Sequence, residues 1–279
     1  MGRVYTRLEM IDRFETQRAM DSPVVAAGPA NGIVAKCAAR AGIDVIITSP
    51  MHTSRSLGFP TRIIADFGGE ASKKMLETFW QVVDVPLVAG LDANDIQSMD
   101  HERLLDKFQA LGISGVCNLP SAQHFGDAPR IRWTKMRRGF NREIDLLKAA
   151  HARGLYTVGF VYYPDDARTL VQAGADMIIA TAGHTQGGSN GYPAQSYDEA
   201  LAKIVPTIDA ALEENPQVVA LGHGGPFNSP ESTRELYARS RATGVYATAA
   251  LDRIPIEVAI KKKLEEYKEP LIADLRIRS

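Results

Sequence analysis

Along the chain, short apolar runs rich in β-branched residues alternate with longer stretches in which apolar positions recur every three to four residues. The short runs cover 24–27, 44–48, 86–90, 115–118, 156–160, 177–181, 218–222 and 244–248. They are apolar on both faces, as parallel strands covered by helices must be. The intervals predict helices over 33–40, 71–83, 101–111, 141–153, 165–173, 197–214, 230–243 and 255–267, with an extra one over 6–20. Several helices close on a glycine before the next strand (Gly42, Gly112, Gly154, Gly174, Gly244), a residue that accepts the left-handed conformation ending a helix. Ser229-Pro230-Glu231 is a helix start, with a capping hydroxyl, a proline in the first turn and an acid beside it. Eight strand–helix units predict an α/β fold, a (β/α)8 TIM barrel with an extra N-terminal helix. It takes in 1–279 as one domain, with 1–22 as a helical extension and 269–279 as a tail. An open doubly wound sheet is the rival, and the even spacing and the count of eight argue against it.

Composition narrows the partners. Lys and Arg number 32 against 33 Asp and Glu, a net charge of -1, which excludes a strongly basic nucleic-acid binder. Cys37 and Cys117 lie in apolar runs and read as small buried residues in a reducing compartment. The N-terminus lacks an apolar signal core, and no run approaches the roughly 20 apolar residues of a membrane span. A cytoplasmic chain is expected, acting on a small anionic organic molecule, with no nucleic acid and no membrane as partner. Met-Gly-Arg-Val-Tyr-Thr fits the loose myristoylation pattern, which nothing else supports.

In such a barrel the chemistry sits on the loops after the C-terminal strand ends. That selects Gly28 and Asn31 after strand one, Ser49, His52 and Arg55 after strand two, and Asp92 after strand three. Asn118 and Tyr162 follow strands four and five. His184, Gly188 and Ser189 follow strand six, and His223, Gly224 and Gly225 follow strand seven. Three of the six histidines (His52, His184, His223) therefore stand on the rim as acids, bases or ligands. Each alone can equally be a histidine bonding a loop carbonyl. His124 lies in the loop after strand four, while His101 and His151 fall on helices as surface residues. Gly222-His223-Gly224-Gly225-Pro226 precedes a helix and offers backbone N–H groups to an anion, or simply turns the chain. Residues 52–62, with Arg55 and Arg62, read as a lid over the active face. Arg130, Arg132, Lys135, Arg137 and Arg138 form a basic run: an anion clamp, a subunit contact, or a solvated face.

These motifs together resemble the phosphoenolpyruvate-hydrolase-like family of TIM-barrel proteins. The resemblance rests on Gly28–Cys37 (GPANGIVAKC), PLVAG at 86–90, GISGVCNLP at 112–120, AGADMIIA at 173–180, TQGGS at 185–189, GHGGP at 222–226 and LDRIPIEVAI at 251–260. It implies a distant relation to the phosphoenolpyruvate mutase and isocitrate lyase superfamily, whose barrels make or break C–P and C–C bonds beside a 2-oxo acid using Mg2+ held by acids after strands three and four. Here Ala89-Gly90-Leu91-Asp92 keeps one acid and Val116-Cys117-Asn118 none. The resemblance implies a hydrolase or lyase cleaving a C–C or C–P bond in a small anionic oxo acid. His223 or His184 would be base or acid. Gly224, Gly225 and Ser189 would hold the anionic group, and Asp92, Asn118 and His52 would orient an enolate, a water or a metal. No cofactor is certain, and a divalent metal on the rim histidines stays open. The alternatives are a metabolite- or protein-binding regulatory barrel, and a barrel enzyme of another class such as an isomerase. A homo-oligomer is expected; the C-terminal helix over 261–267 and its tail either exchange between subunits, as in the related superfamily, or form a plain eighth covering helix followed by a mobile tail over 269–279.

Overall fold

The computed structural model describes residues 2–61, 67–95, 97, 100–126, 131, 132, 135, 136, 138–189 and 192–269. Arg62, Arg130, Arg137 and the tail beyond Glu269 lie outside them. Eight parallel strands follow one another round a closed barrel: β1 (Val24–Ala27), β2 (Val45–Thr48), β3 (Leu87–Gly90), β4 (Gly115–Cys117), β5 (Tyr156–Val161), β6 (Met177–Thr185), β7 (Val219–Gly225) and β8 (Gly244–Ala247). Closure is made by β8 on β1, with Val24 opposite Gly244 and Ala27 opposite Ala247. The helices are α1 (Arg7–Ala19), α2 (Gly32–Arg40), α3 (Pro50–Ser56), α4 (Glu70–Trp80), α5 (His101–Gln109), α6 (Phe140–Ala152), α7 (Pro164–Gln172), α8 (Tyr197–Glu214), α9 (Pro230–Arg239) and α10 (Arg253–Lys268).

Side-chain alternation along each strand divides the core in two. Val45 and Ile47 of β2 point into the barrel with Val88, Val158, Ile179 and Leu221, whereas Ile46 points out toward the helices with Leu76, Phe79, Leu105 and Phe108. Met10 and Phe14 of α1 join the inner cluster and stopper the barrel at the N-terminal strand ends. A Thr6–Glu9 capping box starts that helix, and the Arg7 guanidinium bonds the Asp176 carboxylate at 2.7 Å just before β6.

Most predicted elements stand within a few residues of their expected ends, and four differences matter. First, β6 and β7 run on to Thr185 and Gly225, so His184, His223, Gly224 and Gly225 are strand residues rather than loop residues. Second, part of the expected lid is helix α3: Ser49 caps it by accepting from Met51 N at 3.3 Å, and Pro50 opens its first turn. Third, Cys37 is exposed on α2, and only Cys117 is buried. Fourth, His101 and His151 are half-buried rather than surface residues, His101 lying between Ala93 O and the Arg142 guanidinium. Among the described residues, no helix is long and apolar enough to cross a membrane.

Candidate active site at the barrel mouth

The C-terminal ends of β2, β5, β6, β7 and β8 converge on a cavity lined by His52, His124, His184, His223, Phe160, Tyr162, Tyr246, Thr185 and Thr248. At its floor there is about 20 Å³ of water-accessible space, within an opening of about 350 Å³ that leads to solvent. His223 comes from β7, and its Nδ1–H donates to the Tyr246 carbonyl of β8 at 2.8 Å. A carbonyl can only accept, so this bond fixes the tautomer and leaves Nε2 as a lone pair. His124 is held in the same way. The short 3-10 turn Ala122–Phe125 carries it, and its Nδ1–H donates to Ser121 O at 2.8 Å. Its ring stacks on Phe160 at 5.4 Å between centroids, meets Tyr162 edge-on at 5.3 Å, and stands 6.0 Å from the His184 ring. His184 stacks in turn on Tyr192 at 4.1 Å. On the opposite side, the Tyr246 hydroxyl and His52 Nε2 share a hydrogen bond of 3.0 Å, while His52 Nδ1 is buried without a partner.

Burial sets the charge of these groups. Loss of solvent holds His52 well below the ordinary histidine range, brings His223 and His124 down to about 4, and lowers His184. The same cause keeps the Tyr246 and Tyr162 phenols protonated. At neutral pH the mouth therefore offers uncharged imidazoles, able to take a proton, beside phenols able to give a hydrogen bond.

The structure brings His52, His184, His223 and Tyr162 to one cavity and sends the other predicted residues elsewhere. Gly28 lies beneath the His52–Tyr246 pair: a Cβ there would stand 2.5 Å from both His52 Cε1 and the Tyr246 hydroxyl. Arg55 lines a neighbouring cavity with Asn31 and Ser189 and is tied into the fold. Its Nε meets both Asp252 oxygens at 2.9 and 2.8 Å, its Nη1 donates to Thr61 Oγ1 at 3.1 Å, and its Nη2 bonds Gly28 O. That guanidinium ties the ends of β1, β2 and β8 together and has little left for a ligand. Ser49 and Asn31 are helix caps, Asn31 accepting from Val34 N at 3.1 Å. Asn118 is wholly buried and spans β4 to β5, bonding Phe160 N at 2.6 Å, Phe160 O at 3.1 Å and Glu143 at 2.6 Å. Gly224 and Gly225 face packing neighbours. A Cβ at Gly224 would fall 1.8 Å from Gly183 O, so this glycine lets β6 and β7 approach. Gly188 and Ser189 are apart from them, beside Arg253 and Glu257, with Ser189 N donating to Glu257 at 2.7 Å. His124, Phe160 and Tyr246 were not singled out for chemistry from the sequence. The alternation of strands five and eight turns Phe160 and Tyr246 inward, but nothing local marks His124.

Magnesium is a hard ion that takes oxygen ligands in near-octahedral array. The cavity is lined by imidazoles, phenols and hydroxyls with no carboxylate among them. Asp92 accepts from Asn94 N at 2.8 Å, and Glu143 is enclosed behind β4. Among the described residues, no cluster of three His, Cys, Asp or Glu can hold a metal ion. These residues do not fit the Mg2+ site that the superfamily resemblance implies.

Solved structures of this shape include a phosphonopyruvate hydrolase in complex with oxalate and Mg2+ (TM-score 0.59, 16% identity, 96% of this chain and 87% of that one). An oxaloacetate acetylhydrolase matches at TM-score 0.59 and 15% identity, over 96% of this chain and 88% of that one. At these identities the likeness is one of fold. In sequence, the ToMV susceptible protein tm-1(GCR26) and the ToMV resistance protein Tm-1(GCR237) of Solanum lycopersicum are each 30% identical over 271 residues, 94% of this chain. The chain spans about a third of the length of these relatives, 35% in each case. The model of the phosphoenolpyruvate hydrolase-like family matches residues 9–269, and the chain belongs to that family.

Proposed function

We propose that this barrel is an enzyme that cleaves a C–C or C–P bond in a small anionic oxo acid, with His223 as the general base. The observation that carries this reading is the Nδ1–H bond of His223 to Tyr246 O, which leaves Nε2 unprotonated at the cavity. In the C–C case, Nε2 takes a proton from water while the water oxygen bonds to the substrate carbonyl carbon. The C–C bond then breaks, its electron pair forming an enolate on the departing fragment. The imidazolium of His223 returns the proton to the enolate carbon. Tyr246, Thr185 and Thr248 place hydroxyls at the same cavity to orient the oxo and carboxylate groups. His52, braced by Tyr246, positions that phenol. The family membership and the barrel shape shared with phosphonopyruvate hydrolase and oxaloacetate acetylhydrolase support the reaction class.

The test is a proton and phosphorus NMR time course with phosphonopyruvate, phosphoenolpyruvate and a set of 2-oxo and 3-oxo acids, with chelator and with added divalent ions. A cleaved product, unchanged by chelator and lost by at least ~100-fold in His223→Ala with the fold intact, is the expected result. Saturable binding with every compound left whole would overturn cleavage of these acids and favour a metabolite-binding barrel.

The chain is also proposed to form a homo-oligomer. Of α10 only Arg253 is buried, and Ile256, Val258, Ile260, Leu264 and Tyr267 are exposed. An apolar groove of about 400 Å³, lined by Val25, Phe227, Tyr237, Val245, Ala247 and Leu251, runs beside β8 and β1. A covering helix from a second copy would bury both surfaces.

A further inference from the structure

Glu143 of α6 is completely buried, and the chemistry proposed above does not use it. Its Oε2 accepts from Asn118 Nδ2 at 2.6 Å and its Oε1 from Ala122 N at 2.7 Å. Each donor leads to the mouth. Asn118 also bonds both backbone groups of Phe160, whose ring stacks on His124. Ala122 opens the 3-10 turn that carries His124, next to Ser121, whose carbonyl takes the His124 Nδ1–H. We propose that Glu143 is a positioning residue that fixes the stacked rings of His124 and Phe160 from both sides through Asn118 and the Ser121–Ala122 backbone, and so holds the His124 Nε2 lone pair on the cavity. That cleavage takes place at this cavity rests on the function proposed above; the positioning itself does not.

An ionised carboxylate presents acceptors to both donors, whereas the amide of glutamine must turn its NH2 toward one of them, so one of the two N–H groups loses its partner; protonation adds an O–H that competes for one of these places. Burial lifts Glu143 to about 7, with Asp92 after β3 adding to the rise and the bonds from Ala122, Asn118 and Ser121 opposing it. The other ionisable groups near it are Cys117 on β4, whose thiol burial pushes far up, and Tyr162 after β5, whose phenol is likewise raised. Asp166 on α7 faces the turn through Gln123 Nε2 at 2.5 Å. The arrangement about His124 is thus complete above neutral pH and loosens as pH falls past 7, well before His124 itself takes a proton.

Nitrogen-15 NMR of histidine-labelled protein reads this directly. In the unsubstituted chain the His124 ring nitrogens are expected to show the Nδ1–H tautomer at pH 8 and a change in shift centred near pH 7. Glu143→Gln removes that inflection and lets the tautomers mix, while signals of His151 and the far-ultraviolet circular dichroism stay put. Asn118→Asp added to Glu143→Gln restores one donor–acceptor match and part of the tautomer preference. A His124 tautomer at pH 8 that is unchanged in folded Glu143→Gln, or an inflection near pH 7 that survives in that variant, would overturn the proposal, and neither reading depends on turnover.

Discussion

Two side chains at the mouth are oriented by what Nδ1 donates to, while burial decides how they titrate and those backbone bonds only partly oppose it. His223 and His124 stand at about 4 against an ordinary 6.5. A histidine lowered in the folded state binds fewer protons than in the unfolded one. Its contribution to stability is present above pH 6.5 and is lost as pH falls toward 4. Each such histidine is worth up to ~3 kcal/mol by this route. The expected outcome is that the denaturation midpoint of His223→Phe, compared with that of the unsubstituted chain, loses less between pH 6.5 and 4, Glu143 contributing an opposite trend equally in both. A slope unchanged by that substitution would show that His223 titrates normally. Nearby, Arg55 and Asp252 form an ion pair with both side chains 1% exposed. Asp252→Asn should cost ~3–5 kcal/mol in urea unfolding, because it leaves a buried guanidinium short of its counter-charge. A cost below 1 kcal/mol would place that pair in water. The rim histidines were legible because each follows an apolar run at the end a barrel uses for chemistry. The pairing of Arg55 was not, since its partner lies 197 residues away and no local pattern announces it.

At the scale of elements, alternation and glycine punctuation marked all eight strands and the order of the helices, because both signals come from neighbours in sequence. The ends of β6 and β7 were hidden for the opposite reason. They continue because Thr185 pairs with Gly225 across strands, past an irregularity after Thr181. Glycines that look like a flexible loop are there to bring two backbones together. Gly224 has φ +79° and no room for a Cβ beside Gly183 O, while Gly42 has φ +88° and open space around it. Both alanine variants carry a left-handed strain of ~1–2 kcal/mol. Gly224→Ala is expected to lose at least ~2 kcal/mol more from steric overlap, in the range of backbone-distorting substitutions. Thermal unfolding of the two variants side by side checks this; equal losses would mean β6 yields freely.

The whole barrel is covered unevenly. Helices α2 to α9 pack their apolar faces inward, whereas α10 carries apolar residues into solvent beside an open groove. Light scattering on the purified chain is expected to give a mass above the 30.4 kDa of one copy, and Ile260→Glu with Leu264→Glu to reduce it toward one. A single-copy mass for the unsubstituted chain would leave α10 with some other cover. At the other end, α1 sits under the barrel like a cork, with Tyr5 N bonded to Ser114 Oγ at 3.0 Å just before β4. Any polypeptide joined ahead of that helix is delivered to the closed pole, as far from the histidines as the molecule allows. A neighbouring module attached there can be as large as evolution likes without standing in the doorway, and can influence the chemistry only by passing force through the barrel wall.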